Sequence, residues 1–286
     1  MEQRKWTAEN MNMIEKIKKS GYPLEIEVTL MLQSNGWHVS NQQGYIDPET
    51  NTWRATDILA TKNVELSSEA VYQTIYLVLI IECKKIEYPW VFWCRDKESL
   101  GIFDPLVVFG LIKFDSKSPL HPINFENFVN CFHYYSSDFN KVAVISYEPF
   151  KKSESKNKDV IFEAKVQVIK ALSGQRRLIR NFLQMTENIE ESKPKSKPFN
   201  PIYIYYPLII ADGNLFEMEF KDKETKLTEV NYIQYLTSFI NYSTPISSKE
   251  QLTETYLIDI MKIDFLEKYL DIIEKKALTF RDILND

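Results

Sequence analysis

At 286 residues, 44% hydrophobic and with only 7 glycines, the chain has ample material for a buried core, which excludes a disordered or fibrous polymer. A net charge of -5 excludes indiscriminate nucleic-acid binding over the whole surface, so any such contact must be local. Cys83, Cys94 and Cys131 form no CxxC pair, so neither a disulfide framework nor a zinc knuckle is expected and a reducing cytoplasm fits best.

The first residues, MEQRKWTAEN, lack an apolar signal core. The longest strongly apolar run, Tyr76 to Ile81, is far too short to span a bilayer, so no membrane role is expected. Met11, Ile14 and Ile17 mark a short amphipathic helix with Thr7 as N-cap, closed by Ser20-Gly21. A second helix starts at Pro23, carries an apolar stripe of Leu24, Val28, Met31 and Leu32, and meets a left-handed stop at Asn35-Gly36. Trp37 to Ser40 reads as a strand start, and Gln42 to Asn51, with Asp47-Pro48, as a turn-rich loop. Strands follow at Thr52 to Thr61 and Ile75 to Lys84, joined by the polar stretch Asn63 to Ala70. The run YLVLII is apolar on both faces, as a central strand covered on both sides requires.

Beyond it, Phe125 to Tyr135 is predicted helical, Val142 to Tyr147 a short buried strand and Val160 to Met185 a long helix. Ser192 to Pro198 reads as an exposed loop, and IYIYYPLII after it as another core strand. FEMEF is predicted as an alternating strand, Thr228 to Ile240 as a helix, TYLIDIMKI as a strand and Asp264 to Ala277 as a last helix. The whole predicts an α/β fold with a mixed central sheet flanked by helices. One domain over 1–286 is expected, with a motif-bearing core near 20–150 and a C-terminal extension near 151–286.

The chemistry-bearing pattern is Asp57 on one predicted strand and Glu82-Cys83-Lys84 at the end of the next. Residues i and i+2 of a strand share a face, so Glu82 and Lys84 point one way and Cys83 the other. If the two strands are neighbours, Asp57 joins them. Two carboxylates offer hard oxygen ligands for Mg²⁺ or Mn²⁺, and the Lys84 ammonium can orient or deprotonate a metal-bound water beside a phosphate. The Glu-x-Lys triplet alone has little weight, because seven begin in this chain, at Glu82, Glu154, Glu163, Glu191, Glu219, Glu224 and Glu274. Only Glu82 ends an apolar core strand. The nearest rival, Asp212 with Glu219 and Lys221, lies on a half-exposed alternating strand, which favours a solvated face.

Three linked segments, LEIEVTLMLQSNGWHV, YIDPETNTWRATDILA and LVLIIECKK, resemble the PD-(D/E)xK, or restriction-endonuclease-like, nucleases. That family includes archaeal Holliday-junction resolvases and many restriction enzymes. The resemblance covers residues 22 to 93 and is closest to uncharacterised bacterial members with R-x-x-D-I and E-C-K-K followed by P-W. It implies a restriction-endonuclease-like sheet and Mg²⁺-dependent hydrolysis of a phosphodiester bond in DNA, leaving 5′-phosphate and 3′-hydroxyl ends. Asp57, Glu82 and the Cys83 carbonyl would be the metal ligands, with Lys84 handling the water. The family glutamate precedes the helix-ending glycine by about three turns, which selects Glu25 over Glu27. One departure is Thr56-Asp57 in place of the family's proline-aspartate.

Each of these residues also has a structural reading. Asp57, Glu82 and Lys84 could be an ion-pair network joining two strands, and Glu25 an early-turn glutamate favoured by the helix dipole. Lys85 is either a phosphate contact or a solvated strand end. Arg54 shares the face of Thr52 and Thr56, opposite Asp57. The aromatic run at Trp90 to Trp93 is read as core rather than as a base-stacking surface. Gln175, Arg176, Arg177 and Arg180 form a basic patch on the long helix, either a nucleic-acid backbone contact or a solvated helix end. His38, His121 and His133 are isolated from one another, which leaves zinc and histidine catalysis without support. The expectation is a Mg²⁺-dependent nuclease acting on DNA that cuts when paired with a partner protein or with a second copy as a homodimer. A catalytically silent binding module and an RNA-directed nuclease are the alternatives.

Overall fold

A computed structural model describes residues 8–47, 49–65, 74–100, 113–116, 140–149, 159–192, 201–221, 224–240 and 253–285. The helices among them are α1 (Ala8–Lys19), α2 (Tyr22–Ser34), α3 (Val160–Ser192) and α4 (Ile263–Asn285). The first strands are β1 (His38–Ile46), β2 (Trp53–Glu65), β3 (Thr74–Lys85), β4 (Trp90–Asp96), β5 (Lys113–Ser116) and β6 (Lys141–Tyr147). After α3 come β7 (Pro201–Asp212), β8 (Leu215–Lys221), β9 (Glu224–Val230), β10 (Tyr232–Ile240) and β11 (Thr253–Met261).

All eleven described strands belong to one mixed sheet in the order β1-β2-β3-β7-β11-β10-β6-β4-β8-β9, with β5 also on β7. β1, β2 and β3 form an antiparallel meander. β7 then runs parallel to β3 over its full length, from Thr74↔Pro201 to Lys85↔Asp212. A parallel neighbour needs a crossover, and α3 lies on the connection. On its other edge β7 pairs with β5 up to Tyr205 and with β11 from Leu208, so Pro207, which has no N–H to donate, sits in the gap between the two partners.

Helices cover both faces of the sheet. Leu24, Val28 and Leu32 of α2 and Leu266, Tyr269, Leu270 and Ile273 of α4 pack with Ile75, Leu77, Leu79, Ile81 and Cys83 of β3. Ile161, Ala164, Val168 and Leu172 of α3 pack with Val78 and Ile80, the alternate residues of the same strand. That division accounts for the unbroken apolar run of β3. Gly36 follows α2 at φ 77, the left-handed position that a glycine stop supplies.

Two expectations fail. Thr228 to Ile240 is not a helix; it contributes the end of β9 and all of β10. The spacing of Val230, Ile233 and Leu236 imitates a helical period, but β10 lies between β11 and β6 with Ile233, Gln234 and Tyr235 all buried, so no alternation marks it as a strand. The predicted loop from Gln42 begins in a strand: β1 continues to Ile46, and the turn proper is closed by Asp47, whose carboxylate accepts the Glu49 and Thr50 N–H groups. The expected helix at 125–135, the N-cap at Thr7 and residues 193–198 of the expected loop lie outside the described residues. Trp90 and Phe92 are buried core residues of β4. No helix among the described residues is long and apolar enough to cross a membrane.

Candidate active site

β2 has two neighbours but does not keep both. It pairs with β1 from Trp53 to Thr61, whereas its ladder with β3 runs only from Glu65 back to Ile58↔Ile81. From Asp57 onward the two strands part, and β3 continues in register with β7 alone. Side chains of β2 take over at this fork. Thr56 Oγ1 donates to the Ile81 carbonyl at 3.3 Å, and Asp57 Oδ2 accepts the Cys83 N–H at 2.8 Å. A short polar residue and a carboxylate thus satisfy backbone groups that would otherwise be stranded in a buried place.

Asp57, Glu82 and Lys84 converge on the α3 side of the fork. Lys84 Nζ donates to Glu82 Oε2 at 3.0 Å, while the Cys83 side chain packs toward α2. Glu82 is 3% exposed. Burial first, then the charge of Asp57, pushes its carboxyl up to about 8 against the pull of Lys84. Burial opposes the Lys84 ammonium, yet Glu82 and Asp57 together hold it above its ordinary value. The fork therefore brings a second carboxyl group against buried Glu82, and a cation there would favour the ionised form that burial and Asp57 oppose.

Glu25 belongs to the same electrostatic cluster from across the sheet edge. Its carboxyl is raised by burial and then by Asp57, opposed by Gln42 and Lys84. Gln42 Nε2 donates to Glu25 Oε2 at 3.2 Å. The pairs Asn41↔Ile58 and Gln43↔Thr56 leave Gln42 opposite Asp57, and it adopts φ 54 there. Gln42 is the site neighbour that sequence reasoning missed, because its segment reads as a loop. Glu27, the rejected alternative, is exposed.

The other expected residues lie elsewhere. Lys85 donates to the Lys18 carbonyl at 3.1 Å and stands 3.9 Å from Asp212. Arg54 is 3.7 Å from Asp47. Arg176 and Arg180 both bond the Asp115 carboxylate, at 3.1 and 2.6 Å, and Arg176 also lies 3.6 Å from Glu254. Arg177 is exposed. The basic run on α3 is therefore largely matched by internal acids rather than held open. Of the rival triplets, Glu219 pairs with Lys141, and Glu274 accepts from Lys62 and from the Trp37 indole.

Among the described residues no group of three or more His, Cys, Asp or Glu side chains is gathered to hold a metal ion as it stands. Asp57 and Glu82 supply two hard oxygen donors whose mutual repulsion a divalent cation would relieve, so the donor chemistry fits Mg²⁺ or Mn²⁺. Comparison of the chain with protein-family models, with curated proteins and with solved structures finds no match.

Proposed function

We propose that the chain is a metal-dependent nuclease of PD-(D/E)xK type that hydrolyses phosphodiester bonds, in DNA rather than RNA. The observation that carries this reading is the convergence of Asp57, buried Glu82 and Lys84 at the point where β2 leaves β3. The succession of a helix with an inward Glu25, a strand, the Asp57 strand and the Glu-x-Lys strand follows the family order and supports a restriction-endonuclease-like core.

Asp57 and Glu82 would hold the ion, with the Cys83 carbonyl between them in sequence. A bound divalent cation supplies charge neutralisation at the phosphate and a more acidic water. Lys84 orients that water and holds or releases a proton at Nζ. The water oxygen would bond to phosphorus as the bond to the 3′ oxygen breaks, the water giving up a proton and the 3′ oxygen taking one from Lys84 Nζ or from solvent, which leaves a 5′-phosphate and a 3′-hydroxyl. Glu25 adds negative charge at the rim, and Gln42 sets its direction.

The Lys84–Glu82 bond at 3.0 Å, with no group of three acids gathered to hold a metal ion among the described residues, favours one other reading: a binding module in which the ion pair is structural. Incubation of single-stranded, duplex and branched DNA and of RNA with Mg²⁺ or Mn²⁺ decides between them. Cleavage lost in Lys84→Ala and Asp57→Asn supports the nuclease, cleavage unchanged in both sinks the site, and binding without cleavage favours the module. Activity on RNA alone would replace the DNA assignment.

A further inference from the structure

A cavity of 560 Å³ lies between the β1–β2 hairpin and α3, lined among others by Tyr45, Asp47, Trp53, Arg54, Phe162 and Lys170. Its lining reaches Ala55, two residues before Asp57. Trp53, Ala55 and Asp57 share one face of β2, and at about 3.3 Å per residue Trp53 stands roughly 13 Å along the strand from Asp57. Tyr45 is the shared wall: its ring packs against Gly174 of α3, where a Cβ would come within 2.8 Å of the ring. Burial, then the charges of Glu82 and Asp47, keeps its hydroxyl protonated.

The walls have a specific character. The Trp53 indole lies over the backbone of Gly44, where a Cβ would fall 1.6 Å from an indole carbon, yet the residue is 70% exposed. Phe162, on the α3 side, is 51% exposed. Large aromatic surfaces are thus held toward water on both walls. The cations of the cavity are already answered: Lys170 is 3.1 Å from Asp47 and 2.5 Å from Glu49, and Arg54 is 3.7 Å from Asp47. Such a cavity has little attraction for a phosphate and suits a flat, uncharged ring with polar edges.

The geometry points to a base-holding subsite in which one unpaired base of a nucleic-acid strand stacks against Trp53 and Phe162 while a phosphate of the same strand lies at Asp57 and Glu82. The placement of that phosphate rests on the nuclease reading of the fork. A base inside a duplex cannot reach such a cavity without leaving its stack, so the substrate is single-stranded or locally unpaired.

The test is a titration, with Ca²⁺ in place of Mg²⁺ so that a divalent cation is present without cleavage, of a single-stranded oligonucleotide carrying the fluorescent base 2-aminopurine. The expected result is quenching on binding to the wild type. Trp53→Ala should abolish the quenching and weaken binding about tenfold, within the range for one stacked base. Gly44→Ala should do the same by displacing the indole, while an abasic strand should bind wild type and Trp53→Ala equally. Thermal melts of each variant separate a lost ligand from a lost fold, and Trp53 is exposed enough for its replacement to leave the fold intact. Undiminished quenching and affinity in Trp53→Ala, or equal affinity for duplex and single strand, would overturn the subsite. Cleavage that depends on Lys84 with no effect of Trp53 removes the subsite and keeps the nuclease. Trp53-dependent quenching without cleavage under Mg²⁺ or Mn²⁺ does the reverse.

Discussion

With its carboxyl at about 8 in the fold against an ordinary 4.5, Glu82 holds a proton on folding that the unfolded chain gives up between those values. The folded state binds more protons in that window, so stability falls as pH rises through it. Thermal melts of the metal-free protein should therefore drop progressively from pH 4.5 towards 8, and Glu82→Gln should flatten that slope. Mg²⁺ should restore the lost stability at the upper end, because a ligand that binds only the folded form stabilises it. A slope that survives in Glu82→Gln would move the effect to another group. For turnover, Lys84→Ala should lower cleavage by about 10²-fold or more, the usual contribution of a positioned proton-transfer group, with the melting temperature changed far less. Single-turnover cleavage with saturating enzyme reads this directly.

Among the elements, α3 bears most on how the surface charge is read. Its arginines resemble a nucleic-acid contact in sequence, but Asp115 of β5 sits between two of them and is itself buried. Arg176 is the better buried of the two cations on Asp115, and removing it takes a charge partner from Asp115 and from Glu254 together. Arg176→Ala should cost about 3 kcal/mol in urea unfolding, whereas exposed Arg177→Ala should stay within about 0.5 kcal/mol. If Arg176→Ala left stability untouched and weakened DNA binding instead, the helix would be a substrate contact. β10 shows the complementary case, an element whose type its own residues conceal. Its polar Gln234 is buried and donates through Nε2 to Asp259 at 3.1 Å, while Lys97 donates to the Gln234 side-chain oxygen Oε1. A central strand with such a residue shows neither alternation nor an unbroken apolar run.

Across the whole molecule, Asp259 ties the C-terminal strands to α4. It is fully buried, and its carboxylate accepts Tyr232 Oη at 2.5 Å, Tyr269 Oη at 2.7 Å and Gln234 Nε2 at 3.1 Å. Asp259→Ala leaves three donors in β10 and α4 without that acceptor and should lower unfolding stability by about 3 kcal/mol or more. Calorimetry should show this as one shifted transition if the single sheet unfolds as a unit. At this scale the division between sequence and tertiary structure is physical. The sequence by itself determined the local periods: the apolar stripe and glycine stop of α2, the doubly apolar β3 and the shared face of Glu82 and Lys84, all set by backbone repeats within a few residues. It also singled out Asp57, by its place on the predicted strand before the Glu-x-Lys strand and by the family resemblance of the segment around it. Only the tertiary structure decided that β2 parts from β3 at Asp57, that Gln42 stands opposite it beside Glu25, and that Arg176 answers Asp115. Each of those depends on which strand lies next to which, over sequence separations of 15 to 61 residues, and no local pattern carries that pairing.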